Sequence, residues 1–181
     1  MREVADRDRI GRLMRALGIE ADTDTRVYFT GGATAVLLGW RGSTIDVDVK
    51  IVPESDRLLR AISRIKETLR MNVELAAPDD FIPVPPGWEE RSLFIAREGK
   101  ISFYHFDLYA QALSKIERGH TQDLEDVRAI LQMELIDVQR ARDYFARIEP
   151  ELYRYPAIDP ASFRRAMEEA LVPYDTRPPS S

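Results

Sequence analysis

The chain has 181 residues, of which 44% are hydrophobic and 31% charged, and its net charge is -5. These values are typical of one globular domain with a modest extension. The absence of cysteine excludes disulfides, thiol catalysis and cysteine–zinc sites. The acidic balance argues against a broad phosphate-binding surface, although a local basic patch for RNA remains compatible with it.

No stretch of sequence approaches the 18 apolar residues of a membrane span, and residues 1–8 are charged and lack the apolar stretch of a signal peptide. We therefore expect a cytoplasmic protein with no membrane contact. The first predicted helix covers Asp6–Gly18, where apolar residues recur at helical spacing and Gly18 is a plausible stop. The next predicted elements are a strand over Arg26–Thr30, a short buried helix over Ala33–Trp40, a strand over Asp46–Val52, a helix over Glu54–Met71 and a strand over Asn72–Ala76.

The second half of the sequence begins with a proline-rich irregular loop, Pro78–Trp88. A β-hairpin then joins Ser92–Arg97 to Ile101–Phe106. The remaining predicted helices are Leu108–Arg118, Thr121 to about Ile148 and Pro160 to about Val172.

The order of elements predicts an α+β fold, with a small mixed sheet, helices on one side of it and a C-terminal helical extension. We expect an α/β core over residues 1–107, a helical extension packed on that core over 108–172, and a flexible tail over 173–181.

Two carboxylates, Asp46 and Asp48, are spaced i and i+2 on a predicted strand, so they point to the same side of it. Two carboxylates at such a short distance repel each other unless solvent or a cation lies between them. Hard divalent cations prefer oxygen ligands. The pair therefore predicts a site for Mg²⁺ or Mn²⁺, with a solvent-facing strand edge as the competing interpretation.

A glycine pair, Gly31–Gly32, ends the strand that precedes the acid pair. Glycine permits positive φ and close approach of a ligand to the backbone. A helix that starts there would offer free N–H groups to phosphate, and Thr30 places a hydroxyl beside them. A tight strand-to-helix turn explains the same residues and is compatible with phosphate binding.

The stretch Phe29–Val49 resembles the signature of nucleotidyltransferases with the polymerase-β-like fold: a hydrophobic residue, a glycine pair, a spacer and an acid-hydrophobic-acid triplet. The family carries a third carboxylate between hydrophobic residues on a later strand. The resemblance implies Glu74 for that ligand, within Val73–Leu75, with Asp107 as the alternative. The residues that match position by position are Gly31, Gly32, Asp46 and Asp48.

Another stretch, Gly39–Asp46, resembles the Gly-x-Arg-x-x-Thr-x-Asp pattern of a narrower branch, the abortive-infection and toxin–antitoxin-related nucleotidyltransferases. This resemblance implies nucleotide contacts for Arg41 and Thr44. The competing interpretation is a surface charge and a loop hydroxyl.

The segment Leu113–Val127 resembles the lysine-containing helix and the Arg-Asp-x-x-Asp helix of the same branch. It implies that Lys115 contacts nucleotide phosphates and that Asp123 assists catalysis or positioning. Gln122 stands where the branch has arginine. The competing interpretations are a lysine paired with a nearby acid and an aspartate in the first turn of a helix capped by Thr121.

These residues together predict a metal-dependent nucleotidyltransferase that moves a nucleoside monophosphate from a nucleoside triphosphate, such as ATP, to an acceptor. We expect the acceptor to be an RNA, tRNA included, or a protein, with a small molecule as the alternative. The branch resemblance implies a toxin–antitoxin relation with a cognate partner protein. The alternative is a catalytically inactive nucleotide-binding or protein-interaction module, motivated by the incomplete matches at Glu74 and Gln122. The histidines His105 and His120 are interpreted as structural or exposed.

Overall fold

The computed structural model describes residues 1–176, which divide into two compact units. The first unit comprises residues 1–77 and 89–107, and the second comprises residues 78–88 and those from 108 onward. The division of the chain into 1–107 and 108–172 stays a prediction. The proline-rich segment 78–88 groups with the later helices, although it lies within the first of these ranges.

In chain order the elements of the first unit are α1 (Arg7–Glu20), β1 (Thr25–Thr30), α2 (Gly32–Leu38), β2 (Asp46–Val52), α3 (Asp56–Leu69), β3 (Asn72–Leu75), α4 (Trp88–Arg91), β4 (Leu93–Glu98) and β5 (Ile101–His105). They alternate between helices and strands as far as β4, which β5 follows directly. Helix α4 begins at Trp88, the last residue of the 78–88 segment.

Helix α1 is capped by Asp6, whose side chain accepts a hydrogen bond from the backbone N–H of Arg9. The prediction that Gly18 stops this helix is wrong, because the helix continues to Glu20. A β-carbon at Gly18 would lie 2.6 Å from the carbonyl oxygen of Glu98. The glycine therefore allows α1 to approach the end of β4 closely.

Within the described residues, the strands form one mixed sheet in the order β3-β2-β1-β5-β4. Strand β1 is antiparallel to β2 and parallel to β5, β2 is parallel to β3, and β4 is antiparallel to β5. Alternate apolar residues of β1, β2 and β5, such as Val27, Val47 and Phe103, are buried in one core with the apolar residues of α1, α2 and α3. The predicted α+β class, with a small mixed sheet and later helices, is confirmed.

The second unit is helical. Its helices are α5 (Leu108–Arg118), α6 (Thr121–Gln132), α7 (Val138–Ile148) and α8 (Pro160–Leu171), with a 3₁₀ helix over Glu149–Arg154. The prediction of one helix from Thr121 to about Ile148 is wrong. Glu134 adopts a left-handed conformation with φ 56°, and the side chain of Asp137 caps a new helix by accepting from the N–H of Arg140.

The predicted flexible tail, 173–181, is described only in part. A single 3₁₀ turn spans Val172–Tyr174, and Asp175 forms a 2.7 Å ion pair with Arg142. The rest of that tail lies outside the described residues. Within residues 1–176, no helix is long and apolar enough to cross a membrane.

Candidate functional site

The face of the sheet opposite the apolar core carries the acidic residues. In β2 the core-facing valines alternate with Asp46, which is exposed, and Asp48, which is half-buried. The strand register sets Thr30 of β1 and Glu74 of β3 on either side of Asp48. The structure therefore brings together three residues that are far apart in sequence, Thr30, Asp48 and Glu74, in one row across three strands.

Asn72 connects two of the acids. Its side-chain nitrogen donates a hydrogen bond to Oε1 of Glu74 at 2.8 Å and another to Oδ1 of Asp46. Its side-chain oxygen accepts from Arg2, and because arginine only donates, this contact fixes which end of the amide faces the acids. A neutral amide thus bridges two carboxylates of like charge. Sequence reasoning missed Asn72, although its spacing of two from Glu74 on a strand was a usable signal.

The two residues of the glycine pair are each required for a different structural reason. Gly31 has φ 61°, a left-handed conformation, and a β-carbon there would lie 3.2 Å from Oδ2 of Asp48. A β-carbon at Gly32 would lie 2.0 Å from Oγ1 of Thr44, a distance that no real side chain tolerates. Gly31 therefore allows the turn to approach a candidate metal ligand closely, whereas Gly32 leaves space for a threonine.

Thr44 joins the glycine turn to the acid strand. Its hydroxyl donates a 2.9 Å hydrogen bond to the backbone oxygen of Asp46, and its side chain is buried against Gly32. Nη1 of Arg41 lies 3.2 Å from where a β-carbon of Gly32 would be. The predicted nucleotide-contacting residues Arg41 and Thr44 therefore lie beside the glycine turn.

His105 lies on the core side of the sheet, near the end of β1. Its Nδ1 is 3.1 Å from Oγ1 of Thr34, and the Thr34 hydroxyl donates to the backbone oxygen of Phe29. Burial lowers the pKa of His105 to about 4. A histidine that is buried and neutral at pH 7 agrees with its interpretation as a structural residue.

Asp107, the alternative third carboxylate, is buried and forms a 2.8 Å ion pair with Arg91. Its charge is thus compensated by a cation of the chain itself. Glu74, in contrast, is exposed on the same sheet face as Asp46 and Asp48.

Among the described residues, no group of three or more His, Asp or Glu side chains is arranged to hold a metal ion. The donor chemistry of Asp46 and Asp48 nevertheless fits a hard cation, because both carboxylates lie on one face and the Gly31 turn approaches Asp48 without a side chain. Glu74 accepts a hydrogen bond from Asn72 through one carboxylate oxygen, and its role as a third ligand stays a prediction. The residues therefore fit a cation held by two aspartates.

The second unit contains a buried ionic cluster. Nζ of Lys115 lies 2.7 Å from Asp126 and 3.8 Å from Asp123, and Arg118 forms a two-point ion pair with Asp123. Burial alone would raise the pKa of Asp123, but the hydrogen bond and charge of Arg118 and the charge of Lys115 outweigh it and lower that pKa. Asp123 also accepts from the N–H of His120, the residue that precedes α6.

The predicted site residues thus fall into two groups. The residues in the first unit, which the sheet and the glycine turn bring close together, are Thr30, Gly31, Gly32, Arg41, Thr44, Asp46, Asp48 and Glu74. The residues in the second unit, which the α5–α6 turn brings together, are Lys115 and Asp123.

A mixed sheet with a glycine turn before an acid-valine-acid strand is a nucleotidyltransferase-type arrangement. A family model described as nucleotidyltransferase of unknown function (DUF6036) matches residues 9–158. The chain belongs to this nucleotidyltransferase family. Comparison with curated proteins and with solved structures gives no match.

Proposed function

We propose that the protein is a divalent-metal-dependent nucleotidyltransferase that transfers a nucleoside monophosphate from a nucleoside triphosphate to an RNA or protein hydroxyl. The observation that carries the proposal is the close approach of the side-chain-free turn at Gly31 to Oδ2 of Asp48, on the sheet face that also carries Asp46. Carboxylates, a turn without side chains and a nearby arginine are the parts that phosphoryl transfer needs.

The reaction requires a new bond between the acceptor oxygen and the α-phosphorus, and the bond from that phosphorus to the bridging oxygen breaks to release pyrophosphate. A Mg²⁺ or Mn²⁺ ion, when bound by Asp46 and Asp48, would supply charge neutralisation on the phosphate oxygens. Thr30 and the backbone at Gly31–Gly32 would hold the terminal phosphates. Glu74 would accept the proton of the acceptor hydroxyl.

Arg41, beside the glycine turn, would offset the negative charge that the phosphates bring to this face. In the family resemblance, Lys115 contributes a second positive charge. In the structure that charge is engaged by Asp126, so a role for Lys115 at phosphate requires it to leave this carboxylate.

Membership of a toxin–antitoxin-related branch is a further part of the proposal. It rests on the pattern Gly39–Asp46, in which Thr44 and Arg41 both lie at the glycine turn. A branch of this kind implies a cognate partner protein that controls the enzyme.

The test is transfer of label from each α-labelled nucleoside triphosphate in the presence of Mg²⁺, bulk RNA and cell protein. We expect label on one acceptor class with the wild-type protein and none with the Asp46→Asn/Asp48→Asn variant. A matched control, Asp8→Asn/Glu67→Gln, removes two exposed acids elsewhere in the first unit and should transfer normally. Equal transfer by both double variants would exclude the assigned site.

A second candidate function is a nucleotide-binding or protein-interaction module without turnover. Two observations favour it: Asn72 donates to the carboxylate of Glu74, and Lys115 is neutralised by buried acids. This candidate predicts nucleotide binding that does not depend on Mg²⁺, measured by calorimetry, and no label transfer to any acceptor.

A further inference from the structure

The sheet face that carries the acids is organised in three rows that run across the strands. The strand register defines each row, since residues paired between neighbouring strands lie side by side on one face. The acid row is Thr30, Asp48 and Glu74; the aromatic row is Tyr28, Tyr104 and Phe94; the basic row is Arg26, Ser102 and Arg97. Neighbouring rows are two residues apart along β1 and β5, or roughly 7 Å, and three residues apart along β4, where the register shifts between Phe94 and Ala96.

The aromatic row is continuous. The rings of Tyr28 and Tyr104 are stacked with their centroids 5.4 Å apart, and the ring of Phe94 meets that of Tyr104 edge-on at 5.7 Å. Tyr28 is buried, Tyr104 is half-buried, and Phe94 is 62% exposed on the edge strand β4. Lys50 pairs with Tyr28 at the other end of the row. An aromatic ring this exposed offers its surface to a flat ligand.

The basic row supplies positive charge beside these rings. Arg26 and Arg97 are ion-paired with Glu89 and Asp24, but their side chains remain 44% and 52% exposed. Exposed ion pairs of this kind contribute little to stability, so a stronger anion can replace the carboxylate. Phosphate is such an anion, because arginine binds it through two parallel hydrogen bonds.

We propose that the aromatic and basic rows form a binding platform for single-stranded RNA, with bases on Tyr104 and Phe94 and backbone phosphates on Arg26 and Arg97. Stacking on aromatic rings suits single strands because every base has a flat face, whereas a duplex hides its bases. The assignment of this RNA as the acceptor rests on the proposed transferase function, since the bound RNA would lead to the acid row.

The experiment measures binding of a fluorescein-labelled ten-nucleotide single-stranded RNA to the full chain by fluorescence anisotropy, with duplex RNA of the same sequence as comparison. Phe94→Ala should weaken single-strand binding by about five- to a hundredfold, the usual range for loss of one base stack. Phe94→Tyr should restore it. Arg97→Gln should weaken binding and reduce the slope of log affinity against log salt by about one.

Leu93 provides a matched control. It is an apolar side chain on the same edge strand, 44% exposed, but it pairs with His105 on the other face of the sheet. Leu93→Ala should therefore leave RNA affinity unchanged while removing similar apolar surface. Thermal unfolding of each variant establishes that it is folded.

The outcomes separate this inference from the proposed function. Equal loss in Phe94→Ala and Leu93→Ala, no loss in Phe94→Ala, or no binding of single-stranded RNA by the wild type overturns the platform. In that case, label transfer onto protein would still support the proposed transferase function. RNA binding that depends on Phe94, together with no label transfer, would support the RNA site and overturn the transferase.

Discussion

The first unit and the second unit each bring acidic side chains together, but they compensate the charge differently. Asp46 and Glu74 are exposed and meet through the neutral amide of Asn72. Asp123 and Asp126 are buried and meet through the cations Lys115 and Arg118. The first arrangement leaves net negative charge on an open surface, and the second is neutralised within the protein.

This difference separates residues that are available to a ligand from residues that stabilise the fold. A carboxylate at an exposed position can exchange a water molecule or an amide for a cation at small cost. A buried ion pair cannot release one partner without leaving an unpaired charge at low dielectric. We therefore expect mutations in the second cluster to act mainly on stability and mutations in the first to act mainly on binding.

The largest effect is expected at Lys115. Replacement of Lys115 by methionine keeps the side-chain volume but removes the cation that lies 2.7 Å from Asp126 and 3.8 Å from Asp123, while Arg118 still pairs with Asp123. The free energy of unfolding, measured by urea denaturation, should fall by about 3–5 kcal/mol. Arg128 is an exposed cation on α6, the helix that carries Asp123 and Asp126, and Arg128→Ala should change the free energy of unfolding by less than about 0.5 kcal/mol. A Lys115→Met variant of normal stability that loses nucleotide affinity would instead support the phosphate-contact role.

An intermediate effect is expected at the glycine turn. Gly32→Ala places a β-carbon 2.0 Å from Oγ1 of Thr44 and must displace the threonine from the carbonyl of Asp46. The expected loss of unfolding free energy is about 1–3 kcal/mol, the usual cost of overpacking. Gly42→Ala is the matched control, because no atom lies within 4 Å of its β-carbon position. Equal losses in both variants would show that flexibility of the glycines, and not the contact with Thr44, determines the effect.

Strand periodicity was sufficient to predict the acid face. The alternation of Asp46, Val47 and Asp48 determines which side chains reach the core, so the position of Asp48 beside Gly31 follows from sequence once the strands pair. The pairing itself was not predictable, since nothing local sets Glu74 opposite Asp48. The burial of Lys115 was also missed, because only the tight turn between α5 and α6 brings Asp126 to it.

Local rules misplaced two helix ends for identifiable reasons. Gly18 is a residue type that often ends a helix. In the structure its lack of a side chain instead allows the close contact with Glu98. The break after Gln132 depends on the left-handed conformation of Glu134. Glutamate rarely adopts this conformation, so the sequence does not predict it.

The smallest effect is expected at Asn72. A substitution at this position distinguishes the two kinds of acid cluster most directly. Asn72→Ala removes the donor shared by Asp46 and Glu74, so their mutual repulsion should be relieved by a cation. The dissociation constant for Mn²⁺, measured by electron paramagnetic resonance, should fall by about two- to tenfold, in line with the modest net strength of an exposed hydrogen bond. The Asp46→Asn/Asp48→Asn variant should not bind Mn²⁺, with or without the Asn72 change. Weaker Mn²⁺ binding in Asn72→Ala would mean that the amide oxygen is itself a ligand, and Arg2, which holds that oxygen in the structure, would then be the residue that opposes metal binding.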